Sequence, residues 1–210
     1  ADADVRLVVN HQRRTGADFR WLREQMEAGA IGEPYLIRGT CAGDMLSDGT
    51  HLIDSALFLA GDREWEWVFA SYHRPPNPGM HNEDAGSGGT TGGGFHKAGG
   101  WRFGHPVEEG MFSLIELVGG LRVELLTGDL RVPGRPYHDL EIVGTGGALR
   151  RSGDKQDENL FTRAADGSWK AVAGLERAAS PDLITAAYER LLRVVEGGKP
   201  DSAHPMGAPY

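Results

Sequence analysis

The sequence predicts an α+β domain: one open, mostly antiparallel β-sheet with helices packed on one face. Three observations lead there. Helical periodicity occurs in two early stretches and one late one. Short alternating segments fill the middle. Glycine turns, Gly119-Gly120 above all, join neighbouring segments in the manner of hairpins.

Taken in order, Val5–Val9 reads as an opening strand, close behind a first residue that is not Met, so the chain reads as one entered partway through. Thr15 followed by Asp18 resembles a capping box, and Phe19, Leu22 and Met26 share a helical face until Gly29 stops the helix. Tyr35–Thr40, behind Pro34, reads as a strand. Leu52, Ile53, Ala56, Leu57 and Ala60 mark a second helix, which begins near Asp48 and ends before Gly61. Trp65, Trp67 and Phe69 alternate with other residues as in a half-buried strand. Prolines and a glycine cluster then make residues 74–106 an inserted loop, of a length that is usually functional or disordered.

Phe112–Val118, Gly119-Gly120 and Leu121–Leu125 predict a hairpin with a two-residue primed turn. Leu140 and Ile142 flank Glu141 in a further strand, and Leu160–Thr162 and Ser168–Lys170 form another hairpin around Asp166-Gly167. The last helix takes Ser180 as N-cap and Pro181 as first residue. Leu183, Ala187, Leu191 and Val194 form its apolar stripe, and Gly197-Gly198 ends it. No repeat and no internal boundary divides residues 1–210, which read as a single domain.

Composition narrows the function. Lys and Arg number 22 against 30 Asp and Glu, a formal charge of -8, which repels a phosphate backbone and argues against a nucleic-acid partner. Cys41 is the sole cysteine, so no internal disulfide forms and a reducing, cytoplasmic setting is expected. No apolar run nears the ~18 residues of a membrane span.

The densest polar cluster is Asp44–Asp54. With a helix starting near Asp48, His51 lies in its first turn and Asp54 one turn on, where a carboxylate can orient an imidazole for proton transfer. The plainer alternative makes Asp48 an N-cap and His51 a partly buried helix residue. A second cluster, Asn10-His11-Gln12-Arg13-Arg14, reads either as a solvated turn or as a bidentate grip on an anion. His73, His81, His96 and His105 surround the glycine loop, but their spacing matches no compact metal motif, and no metal site is expected. Gly144–Leu149 begins like a dinucleotide fingerprint, lacks its third glycine, and reads as a turn between strands.

Val8–Arg14, Gly29–Pro34, Gly49–Asp54, Gly61-Asp62 and Glu141–Leu149, in that order, resemble the second domain of the Gfo/Idh/MocA oxidoreductases. The resemblance implies a parent enzyme in which an N-terminal dinucleotide-binding domain, absent here, holds NAD or NADP and a catalytic lysine. The α+β domain would hold a small sugar, cyclitol or related polyol and form a homo-oligomer through its sheet. It also implies catalytic roles for His51 and Asp48 and substrate contacts from Asn10, Arg13, Arg14, Ser47 and Asp54, the last more for orientation. No cofactor-binding residue is expected in this fragment, which alone would be inactive.

The family commonly carries an aspartate four residues before the histidine. Here Ser47 stands there and Asp48 comes one residue late. A serine cannot support an imidazolium as a carboxylate does, so either a local shift brings Asp48 into the role or the usual chemistry is altered. A non-catalytic binding or oligomerisation module derived from such an enzyme is the alternative, and a metal hydrolase using His51 and the loop histidines is a third reading.

Overall fold

Pro34 biases the residue before it away from the helical region, and the run it opens becomes the middle of the sheet. The computed structural model describes residues 9–73, 101–102, 105–130, 138–153, 159–163, 166–173 and 183–196. In chain order these form a 3-10 turn (Gln12–Thr15), α1 (Ala17–Glu27), β1 (Pro34–Cys41), a π turn (Met45–Gly49), α2 (Thr50–Leu59), β2 (Trp65–His73), β3 (Trp101–Arg102), β4 (His105–Pro106), β5 (Gly110–Leu117), β6 (Arg122–Thr127), β7 (His138–Gly144), β8 (Gly147–Ser152), β9 (Leu160–Arg163), β10 (Trp169–Ala171) and α3 (Leu183–Val195).

Eight strands make one open sheet in the order β10-β9-β8-β7-β1-β6-β5-β2, with β3 and β4 paired separately. Within the eight, β1 and β6 run parallel and every other neighbouring pair is antiparallel. This is the α+β architecture that the sequence predicts.

The core lies between the sheet and the first two helices. Register sets Ile37 of β1 beside Val123 of β6 and Ile142 of β7, and these pack with Phe19 and Leu22 of α1 and Leu52, Ala56 and Leu59 of α2. Each fully buried side chain of this kind contributes about 1.5–3 kcal/mol. The other face carries ion pairs: Arg38–Glu124 at 3.1 Å, Arg122–Glu116 at 3.0 Å and Arg150–Asp139 at 2.9 Å. A buried pair joins the layers, since Arg151 of β8 binds Asp18 of α1 at 2.7 Å with its guanidinium 4.6 Å from the Phe19 ring centroid.

Several local expectations are corrected. Thr15 belongs to the 3-10 turn, where its hydroxyl donates to Gln12 O, and Asp18 accepts from the Phe19 N–H. Gly16 is the N-cap of α1, so no capping box forms. The Gly119-Gly120 hairpin is present, but Leu117 and Leu121 close it around Val118-Gly119-Gly120. The two glycines take φ of 90° and 79°, a region that side-chain-bearing residues avoid. β2 is exposed along its whole length rather than half-buried. It is an edge strand and, among the described residues, pairs only with β5, beyond the cover of α1 and α2.

α3 presents Ile184, Tyr188, Leu192 and Val195 to the exterior, alongside the stripe expected to be buried. The expected opening strand, most of the glycine loop and the cap residues Ser180 and Pro181 lie outside the described residues.

The one-sided core gives a direct test. Ile37→Ala, at a position with no exposure, should lower urea stability by about 2–5 kcal/mol. Tyr35→Ala on the same strand, half exposed, should change it by less than about 0.5 kcal/mol. Equal effects in equilibrium unfolding would contradict the packing described.

Candidate functional site

The polar residues that cluster in sequence meet where the 3-10 turn crosses the start of α2. The anchor is Arg14. Its Nε lies 2.9 Å from both carboxylate oxygens of Asp54, its Nη2 lies 2.6 Å from Asp54 Oδ1, and it also reaches Asp62 at 2.8 Å. Burial works against the guanidinium's charge, but the two carboxylates outweigh it and hold its pKa above the ordinary value. The Phe58 ring takes Arg14 and Arg23 at 5.4 Å and 4.8 Å from its centroid. Arg14 and Asp54 are thus bound to each other, a framing arrangement where sequence had offered both as substrate contacts.

Asp54 does not hydrogen-bond His51, the imidazole it was expected to orient. Its carboxylate comes instead to His11, whose Nδ1 lies 3.9 Å from Asp54 Oδ2. The rings of His11 and His51 stand edge to face, with centroids 5.5 Å apart and planes at 86°. Both are half-buried, and each has a buried Nδ1 with no hydrogen-bond partner. Burial is the main cause that lowers both pKa values. Arg13 and His11 lower that of His51 further while Asp48 and Asp54 oppose, and Asp54 partly offsets the fall at His11, where Arg14 adds to it. Two neutral imidazoles at pH 7 follow, each able to accept a proton.

The approach to α2 departs from a simple N-cap. Asp44, fully buried, caps the π turn by accepting from Ser47 N–H at 2.8 Å, and Asp48 and Gly49 N–H groups both donate to Asp44 O. Asp48 is therefore not the N-cap: Asp44 caps the π turn that leads into α2, whose own N-cap is Gly49 without a side-chain cap. A π turn holds one more residue than an α turn. It sits between Asp44 and His51, where the sequence placed Asp48 one residue late, and the Asp48 charge acts on His51. Gly43 makes this possible, because the Asp48 carboxylate lies over its Cα in the space a Cβ would occupy.

Ser47 keeps a buried Oγ without a hydrogen-bond partner, and Asn10 is exposed just ahead of the 3-10 turn. Arg13 is half-buried, and its charge reaches both His51 and Cys41. The Cys41 thiol, buried and facing Asp48, is pushed up to about 12 and is not a nucleophile.

Two site residues escaped the sequence reading. His11 stood inside the cluster that was noted, and its signal was an imidazole beside two arginines. Glu108, which accepts from Met45 N–H, lies 63 residues away with no local signal. The loop histidines do not join the site: His73 pairs with Glu109 at 3.3 Å, and His81, His96 and the His105 side chain lie outside the described residues. Among the described residues no group of three or more His, Cys, Asp or Glu is arranged to hold a metal. The Gly144–Leu149 run closes the β7–β8 hairpin and leads into a strand, so it offers no helix N-terminus for a pyrophosphate and does not fit a nicotinamide dinucleotide.

No protein-family model matches the chain, and no curated protein does. Solved structures do. A super-repressor mutant of Gal80p from Saccharomyces cerevisiae matches with a TM-score of 0.62 at 13% identity over 91% of this chain and 51% of that one. Aldose-aldose oxidoreductase from Caulobacter crescentus, complexed with glycerol, matches with 0.61 at 15% identity over 93% and 55%. An oxidoreductase from Agrobacterium radiobacter, in complex with NAD+, L-tartaric acid and magnesium, matches with 0.57 at 18% identity over 95% and 58%.

These likenesses show the fold alone, which the chain shares with part of the Gal80p and oxidoreductase chains. The chain spans about half the length of each solved chain it matches.

The lowered histidine pKa values set a pH dependence. Above the unfolded value of 6.5 neither state binds the proton, so the histidines contribute nothing. As pH falls through 6.5 the unfolded chain gains protons first and stability declines, until the folded values are passed. His51→Gln should flatten this decline in urea unfolding between about pH 7.5 and about pH 5. Parallel curves for the variant and the wild type would contradict the burial of His51.

Proposed function

We propose that these residues are the substrate-holding part of an NAD(P)-dependent oxidoreductase that acts on a CH–OH group of a sugar, cyclitol or related polyol. The observation that carries the reading is a half-buried imidazole, His51, whose pKa burial lowers and on which the Asp48 carboxylate acts, on a fold shared with several oxidoreductases. A nicotinamide held outside these residues would supply the hydride acceptor. This chain holds the polyol and receives the hydroxyl proton at His51, with Asp48 supporting the imidazolium that results. Ser47 Oγ, Arg13 and Asn10 are the hydroxyl-binding candidates, while Arg14 and Asp54 keep the frame. The ligands named for two of the similar structures, glycerol and L-tartaric acid, are small and rich in hydroxyl groups. The buried, inert Cys41 suits a reducing cytoplasm, and no described helix is long and apolar enough to cross a membrane.

The second reading, a non-catalytic module, draws on Ser47 in the place of the family's aspartate and on the likeness to Gal80p, described as a super-repressor. Turnover separates the two. In the enzyme that contains this chain, His51→Ala should cut kcat by roughly 10²–10⁴-fold for the oxidation of a polyol. The 210 residues alone should bind that polyol in calorimetry and neither bind nor reduce NAD(P) at low micromolar concentration. Unaltered kcat in His51→Ala, or tight NAD(P) binding by this chain, would reject the enzymatic reading of the site.

The homo-oligomer belongs to this proposal too. Trp67 and Phe69 stand exposed on an edge strand of a sheet whose outer face no described helix covers, and exposed aromatic side chains beside an unpaired strand edge are a surface that an assembly would bury. Sedimentation velocity should show an assembly that the double change Trp67→Lys, Phe69→Lys dissociates. A wild-type monomer at micromolar concentration would exclude it.

A further inference from the structure

His11 has no role in the function just proposed, yet it is the residue closest to combining the site's three chemistries. Its ring meets His51 edge to face at 5.5 Å, a geometry that favours the aromatic quadrupoles and limits rotation of both rings. Its Nδ1 lies 3.9 Å from Asp54 Oδ2. That carboxylate cannot swing away, because three contacts of 2.9 Å or less tie it to Arg14. A proton on either imidazole therefore sits within range of the other ring and of one fixed negative charge.

The charges around the pair come from every neighbouring element. The 3-10 turn supplies Arg13 and Arg14, the π turn supplies Asp48, and α2 supplies Asp54. From α1, Arg23 reaches Asp62 at 3.8 Å rather than either ring. α3 packs against the 3-10 turn and carries Glu189, Arg190 and Arg193. Asp54, already bound to Arg14, and Asp48 are the carboxylates that act on the rings, so a first added proton is supported more readily than a second, which meets the first across a short, partly dry gap.

We propose that His11 is the positioning residue of His51: its ring holds the His51 imidazole edge-on, and its link to Asp54 makes the two imidazoles a unit that carries one proton at a time. The catalytic meaning of this arrangement rests on His51 meeting the substrate; the coupling itself does not. In the oxidoreductase, the imidazole that receives the hydroxyl proton would be kept neutral and aimed until the substrate arrives, and a second proton from solvent would be turned away.

The experiment is a proton titration of the histidine rings by nitrogen and carbon NMR on the 210-residue chain, comparing wild type, His11→Gln, His51→Gln and His11→Phe. With the coupling present, replacing either histidine by Gln raises the midpoint of the ring left behind, by the full coupling for whichever ring takes the second proton and by less for the one that takes the first. His11→Phe raises the His51 midpoint as well, but preserves the ring-current shift of the His51 protons, because an aromatic edge remains in place.

A His51 midpoint that stays put when His11 is replaced, together with a His11 midpoint that stays put when His51 is replaced, overturns the proposal. Should His11→Gln fail to fold, the His51→Gln arm reads the same coupling from the other side. Coupling with normal turnover in His51→Ala leaves the paired unit standing and removes the enzymatic reading, so the two failures are distinguishable.

Discussion

A buried guanidinium between two carboxylates is the constraint from which the site follows. Removing a charge from water costs several kcal/mol even after relaxation, so Arg14 is tenable in its position only while Asp54 and Asp62 accompany it. Satisfying Arg14 fixes the 3-10 turn against the middle of α2 and the segment that follows it, since Asp54 lies within the helix and Asp62 just beyond it. With that crossing fixed, His11 and His51 must face each other. The remaining edge of Asp54 becomes the nearest negative charge to His11, and the basic Arg13 stands close enough to lower the pKa of His51.

The same burial that makes the crossing stable also tunes its chemistry. Desolvation lowers both imidazole pKa values and raises that of the Cys41 thiol, so the groups left to move a proton near neutrality are histidines rather than a cysteine nucleophile. The sheet contributes rigidity instead of reactive groups. One of its faces joins the helices through aliphatic side chains, and the other is laced by arginine–carboxylate pairs that keep it polar where no helix covers it.

What could be read from the sequence was what is local. The Phe19, Leu22, Met26 stripe and the Gly119-Gly120 turn declare themselves within a few residues, and both elements are present. The His51 cluster was visible for the same reason. Hidden features are those set by topology or by distant partners. Alternation along Trp65–Phe69 identified a strand, but its exposure follows from an edge position that only the whole sheet order determines. Arg14 and Asp54 are 40 residues apart, so nothing nearby told a structural pair from two ligand contacts. Asp44 was noted inside a polar run, yet its capping role depends on a π turn for which periodicity has no sign.

That π turn has a consequence beyond the placing of Asp48. An i→i+5 turn accommodates one residue more than the α-helix it leads into, and here it is confined to Met45–Gly49. The segment works as an adjustable joint between β1 and α2. A residue gained or lost there would change which side chain is presented to His51 while leaving the strand, the helix and the Arg14 crossing in register. A lineage could thus alter the acidity of the site by a change in length as readily as by a change in residue type, with the sheet unaware of the difference.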